Sequence, residues 1–322
     1  MIELLWLLLP VAAASGWYAA RKVGVGPDGR AAPALQSEYY KGINYLLNEQ
    51  PDKAIDAFIR VLEVDSETVE THLALGNLYR RRGEVDRAIR IHQNLIARPT
   101  LDNQQRNESL LELSQDYLSA GLLDRAEDLC RELSGAEDYK VQALRQLIDI
   151  YEQEKDWDKA TDAARELAET TGSDLGKVVA QYLCEDAERS RLAGNPDGAF
   201  KLLDEAIRAD PACARVNLIR GAIYADQKNY RAALNAFERI ESQDPDYLPE
   251  AIDRIRSCYN ALDDQEGLKG YLSTVLENSG GMTATLALAE ITYAELGEHK
   301  AAEFIIEQLR RRPTLRESLI PH

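Results

Sequence analysis

Apolar and polar positions repeat along this 322-residue chain in a unit of about 34 residues, which starts near residue 35 and runs almost to the end. A small residue is followed three places later by Tyr, and nine places after that by Ala. Gly76, Tyr79 and Ala88 follow this order, as do Gly221, Tyr224 and Ala233; Tyr151 with Ala160, and Tyr293 with Ala302, keep a looser version. The helical period predicts two amphipathic helices per unit. The small residue and the Ala fall where the two helices come closest, and the Tyr fills the space beside them. The Ala positions are Ala54, Ala88, Ala126, Ala160, Ala199, Ala233, a degenerate Leu268 and Ala302, at steps of 34, 38, 34, 39, 34, 35 and 34 residues. The longer steps read as insertions between repeats, around Arg98 to Asn103 and around Gly172 to Gly176. Repeat five carries Ser190 in place of Tyr, and repeat seven lacks both small residues. Pro211 and Pro245 stop the second helices of repeats five and six, because proline has no N–H to continue a helix. No segment alternates with the two-residue period of a strand.

This grammar is that of the tetratricopeptide repeat (TPR). It predicts an all-α fold, a right-handed TPR superhelix of about eight helix hairpins over residues 35–318. One hairpin cannot bury its own apolar face, so stability comes from stacking on neighbours. Such an array presents a surface for other proteins and is seldom an enzyme.

The N-terminus follows a different pattern. Leu4, Leu5, Trp6, Leu7, Leu8, Leu9, Pro10 and Val11 open a seventeen-residue run, Leu4 to Ala20, without a charge. At about 1.5 Å per residue, a helix of this run with its flanks crosses a hydrocarbon core. Trp17 and Tyr18 sit where interfacial aromatics belong, and Arg21 and Lys22 follow at once. A cleaved signal peptide would carry positive charge before the apolar run, where this chain has only Glu3. Residues 1–22 are therefore expected to be a transmembrane anchor. The positive-inside rule puts its N-terminus in the periplasm and the array in the cytoplasm. Residues 23–34, with Gly24, Gly26, Pro27, Gly29 and Pro33, are expected to form a flexible linker without helix.

A net charge of −17 disfavours nucleic acid as a partner. One island departs from it. Arg80, Arg81, Arg82, Arg87 and Arg90 outnumber Glu84 and Asp86. First-helix positions that face inward in the TPR pattern, Leu73, Asn77, Arg80 and Arg81, line the concave groove of the second repeat. These residues, with Arg82, Arg87 and Arg90, form the candidate docking site for an acidic protein partner, set against solvated local ion pairs as the plainer reading.

The chemistry of catalysis finds no foothold. No Gly-rich phosphate loop opens a helix, and no Gly-x-Ser-x-Gly elbow occurs. Cys130, Cys184, Cys213 and Cys258 are scattered, which suits a reducing compartment. Cys130 and His92 occupy the large packing position filled elsewhere by Phe58 and Phe237. His72, His92, His299 and His322 share no helix turn with a Cys or another His, so no metal site is expected.

The opening Met1 to Ala14 with Gly16-Trp17-Tyr18, the stretch Leu75 to Gln93, Asp124 to Asp128 and the closing Arg312-Pro313-Thr314-Leu315 resemble the lipopolysaccharide assembly protein B (LapB, YciM) family. The resemblance covers the whole chain. It implies an inner-membrane TPR adaptor of Gram-negative bacteria that restrains lipopolysaccharide synthesis. Such proteins present LpxC, the deacetylase of the committed lipid A step, to the membrane protease FtsH. An inner-membrane regulator acts on them through the anchor. The family also implies a rubredoxin-like domain after the array, with two Cys-x-x-Cys pairs that bind a metal. This sequence holds no such pair, so no cofactor is expected in this chain.

Two other readings stay open: a periplasmic or secretion-linked envelope scaffold of opposite orientation, and a chaperone adaptor that clamps C-terminal carboxylates, for which Asn77 and Arg81 supply only part of a clamp. The sequence also leaves open whether the chain forms a homodimer.

Overall fold

The structure, a computed structural model, describes residues 28–64, 68–278 and 282–311, with side chains from residue 37 onward except at residue 64. The expected anchor, residues 1–22, lies outside them. Among the described residues, no helix is long and apolar enough to cross a membrane.

Sixteen α-helices follow one another among the described residues, with no strand. They are α1 (Asp28–Leu47), α2 (Pro51–Val64), α3 (Val69–Arg81), α4 (Val85–Ile96), α5 (Asn103–Ser119), α6 (Leu123–Ser134), α7 (Lys140–Glu154) and α8 (Trp157–Thr171). Then come α9 (Gly176–Leu192), α10 (Pro196–Ala209), α11 (Ala214–Asp226), α12 (Tyr230–Gln243), α13 (Leu248–Ala261), α14 (Gln265–Asn278), α15 (Met282–Leu296) and α16 (Glu298–Arg311). A single 3-10 turn, Pro245–Tyr247, precedes α13. Successive pairs are the eight predicted hairpins. The chain forms two compact bodies, Met1–Ile150 and Tyr151–His322.

The hairpin turns share one device. Five residues before each Ala position the backbone turns left-handed: Glu49, Gly83, Gly121, Lys155, Gly194, Lys228, Asp263 and Gly297, with φ between 55° and 86°. In the first seven hairpins the next residue donates its N–H back to the carbonyl at the Tyr position, as from Glu84 to Tyr79 and from Asn229 to Tyr224, both at 2.9 Å. This bond closes the open end of the first helix. It uses only the backbone, so Ser190 accepts from Asn195 equally well at 3.0 Å.

The Ala positions sit at the helix crossings. Ala54, Ala88, Ala126, Ala160, Ala199 and Ala233 are completely buried, as are Phe58, His92, Cys130, Ala164, Leu203, Phe237 and Leu272 one turn later. A methyl group on Gly76 would overlap the His92 ring, and one on Gly221 the Phe237 ring. In the N-terminal body Phe58 packs with Ile55, Leu75 and Leu78. In the C-terminal body a continuous core runs through Phe237, Ile240, Ile255, Leu268 and Leu272.

Three expectations change. The residues read as insertions between repeats largely lengthen the first helix instead: α5 and α9 have 17 residues where α3 and α11 have 13. In the α4–α5 connection Asp102 caps α5 through a capping box with Gln105. The helix α1 starts at Asp28, inside the stretch expected to be a linker without helix. Pro33 is the sixth residue of that helix and withdraws one backbone N–H from it. In the last hairpin α16 begins directly after Gly297, and the Ala301 N–H bonds the Gly297 carbonyl. That start, one residue early, turns Ala301 inward and leaves Ala302 and Tyr293 exposed, so they are not the packing pair of that repeat.

Candidate partner-binding site

The arginine island lies at the turn between α3 and α4, but its members do different work. Arg80 points from the last turn of α3 into the third repeat. Its guanidinium meets Glu112 Oε2 and Asp116 Oδ1 on α5, both at 2.7 Å, and donates to Gln115 Oε1 at 2.9 Å. Only 15% of its side chain is exposed, and that of Asp116 is completely buried. The second Asp116 oxygen lies 2.6 Å from His92 Nδ1 on α4. Arg80, Asp116 and His92 thus form one buried polar chain that ties the second repeat to the third. A carboxylate in this position is tolerable only while its partners stay in place.

Arg87 lies over the Tyr79 ring, 5.4 Å from its centre, and also pairs with Glu84 at 2.7 Å. The arrangement repeats: Lys53 covers Tyr45, Arg125 covers Tyr117 and Lys159 covers Tyr151. A cation one residue before the Ala position, stacked on the Tyr, is therefore a recurring hairpin element rather than a special feature of this site. Arg82 bridges Asp52 and Glu84.

Leu73 does not line a groove. It is buried against Val69 and Leu95 in the core of its own hairpin. Asn77 is half-buried, and its Oδ1 meets no donor among the described residues. Arg81 and Arg90 are exposed and carry no ion pair among the described residues. Of the seven predicted site residues, these two are the guanidinium groups left open to a partner.

The sequence reading missed Asp116 and Glu112. A signal was present. Asp116 occupies a register position held by Leu78, Ile150 and Ile223 in other repeats, all buried. His92 departs from the Phe58 and Phe237 pattern in the adjoining repeat. The Asp116 position also holds Asn44 and Arg189 in repeats one and five, so His92 at a Phe position was the stronger of the two signals. Among the described residues, no group of three or more His, Cys, Asp or Glu is placed to hold a metal ion.

Comparison with known proteins agrees with this architecture. Tetratricopeptide-repeat profiles match residues 71–106 and 191–252. Lipopolysaccharide assembly protein B of Escherichia coli K12 is 40% identical over 98% of this chain and 81% of its own length. The Haemophilus influenzae protein of the same name is 33% identical over the same shares. The chain belongs to the lipopolysaccharide assembly protein B family. Among solved structures, MamA aligns with a TM-score of 0.42 and 20% identity, over 56% of this chain and 94% of that one. The family expected from the opening residues and the arginine-rich stretch is thus the one found, and the all-α helical repeats are its framework.

Proposed function

We propose that this chain is a non-enzymatic, membrane-anchored adaptor of a Gram-negative bacterium, and that it restrains lipopolysaccharide synthesis by presenting LpxC to the FtsH protease. The observation that carries this reading is the 40% identity to lipopolysaccharide assembly protein B across 98% of the chain. The physical features fit it. Leu4 to Ala20 has the length and apolarity of a single anchor, and Arg21 and Lys22 favour a cytoplasmic array. Stacked hairpins offer a long surface for a client. The exposed Arg81 and Arg90 are the groups we assign to an acidic face of that client, while Arg80 and Arg87 hold the array itself.

The test is the cellular level of LpxC after this protein is depleted and then restored as these 322 residues. LpxC should rise on depletion and fall on restoration. A level that never changes would remove LpxC as the client.

A further inference from the structure

Cys184 and Cys213 are 29 positions apart in the chain, yet their sulfurs lie 4.0 Å from each other. Cys184 sits within α9, the first helix of repeat five. Cys213 caps the start of α11, the first helix of repeat six. The two helices pack directly on one another. All four cysteines are free thiols, and among the described residues Cys130 and Cys258 have no such neighbour: Cys130 bonds Gln146 Oε1, and Cys258 lies in the apolar core.

We propose that Cys184 and Cys213 form a peroxide-responsive dithiol, an oxidation site at which hydrogen peroxide joins two consecutive repeats through a reversible disulfide.

The two sulfurs have unequal surroundings, as the two roles require. Gln181 Nε2 donates to the Cys213 sulfur at 3.7 Å, and the contact with Cys184, outweighing burial, together with the backbone amides at the start of α11 lowers the Cys213 thiol to about 7. A helix start favours a negative sulfur in the same way. Cys184 is held as a thiol, its acidity weakened first by its hydrogen bond with Cys213 and then by burial. Cys213 is therefore the nucleophile and Cys184 the resolving thiol. Pro211 and Ala212, in the turn just before Cys213, are exposed, and Cys213 itself is 4% exposed where Cys184 is completely buried, so peroxide would enter from the Cys213 side.

In the first step the Cys213 thiolate attacks one peroxide oxygen. The O–O bond breaks, hydroxide leaves and takes a proton to become water, and Cys213 becomes a sulfenic acid. In the second step Cys184 gives up its proton and its sulfur attacks the Cys213 sulfur. The S–O bond breaks, and hydroxide leaves with that proton as a second water. Two thiols and one peroxide thus yield one disulfide and two waters. The sulfurs must close by about 2 Å to reach bonding distance, a movement within the reach of side-chain rotation. The loop closed by the bond contains all of α10. Because each repeat touches only its neighbours, the staple stiffens this one junction. A reducing compartment returns the pair to thiols.

The full chain, reduced and then exposed to a modest molar excess of hydrogen peroxide at neutral pH, tests this. Titratable thiols should fall from four to two. The intact mass should drop by two hydrogen atoms, and a peptide map should join the Cys184 and Cys213 peptides, all reversed by dithiothreitol. Cys184→Ala should abolish the link and leave Cys213 as a sulfenic acid that dimedone traps. The double variant Cys130→Ser and Cys258→Ser should behave as wild type. Retention of four thiols, addition of oxygen to Cys213 without a link, or a link that forms only in urea would each overturn the proposal. The wild-type map decides even if Cys184→Ala does not fold.

Discussion

Repeats two and six are built on the same register but fill it with opposite chemistry. In repeat six Gly221 faces Phe237, and Cys258 of repeat seven, at the register position of Asp116, lies with Phe237 in one apolar core. In repeat two Gly76 faces His92, which turns to a buried Asp116 from repeat three, with Arg80 closing the far side. Both arrangements satisfy the close approach demanded by the glycine. They differ in what a single substitution costs. An apolar crossing loses contacts by degrees, whereas a buried ionic chain leaves an uncompensated charge as soon as one partner goes. Arg80, which the charge pattern offers as a docking residue, is therefore first of all a structural one.

The largest expected effect breaks that chain. Asp116→Ala or Arg80→Ala should cost about 3–5 kcal/mol of unfolding free energy in urea titration. A cost below about 1 kcal/mol would place the network among ordinary surface pairs.

Next in size is conversion of one chemistry into the other. The triple variant Arg80→Met, His92→Phe and Asp116→Leu replaces every member of the chain by an apolar group, as Phe237 and Cys258 are apolar across repeats six and seven. It should be neutral, or more stable than wild type by about 1–4 kcal/mol. A strong loss would mean that the ionic chain itself, rather than its mutual satisfaction, is needed.

The C-terminal body contains a second buried carboxylate that sharpens the contrast. Asp186 leans on Asp158, with Arg189 reaching both, but that arginine is 56% exposed. Burial, and then the hydrogen bond that the protonated Asp186 carboxyl donates to Asp158, push Asp186 up to about 7 from 3.8. The folded state holds a proton there that the unfolded chain has already released, so this site's contribution falls as pH rises from 3.8 to about 7. The stability of Asp186→Asn relative to wild type should therefore grow across that window and level off above it. A pH-independent difference in urea midpoints would contradict the assignment.

The hairpin turns give a smaller effect. Lys228 adopts a left-handed φ of 61° that Gly194 adopts without a side chain. Lys228→Gly should stabilise by about 0.5 kcal/mol, the strain relieved less the entropy glycine loses on folding. Thermal melts of the two chains are the check.

The helices, their pairing and the buried Ala positions were legible because they depend on spacing within one hairpin. What was less legible depends on neighbours or on a one-residue start. Arg80 is one of three consecutive arginines, and only the facing Glu112 and Asp116 distinguish it from Arg81 and Arg82. The extra residues before Ala126 and Ala199 look like loops in sequence, yet α5 and α9 absorb a further helical turn. The choice of Ala301 over Ala302 follows from α16 starting directly at Glu298. The Cys184–Cys213 contact joins two repeats and leaves no local spacing to read.

The division of labour among the arginines is tested most directly by the LpxC half-life in cells that carry Arg81→Glu with Arg90→Glu as their only copy. Both side chains are exposed and unpaired among the described residues, so the melting temperature of the purified variant should match wild type. The account predicts that LpxC nevertheless persists to the extent expected on depletion under the proposed function. Normal LpxC turnover in a fully folded variant would contradict it.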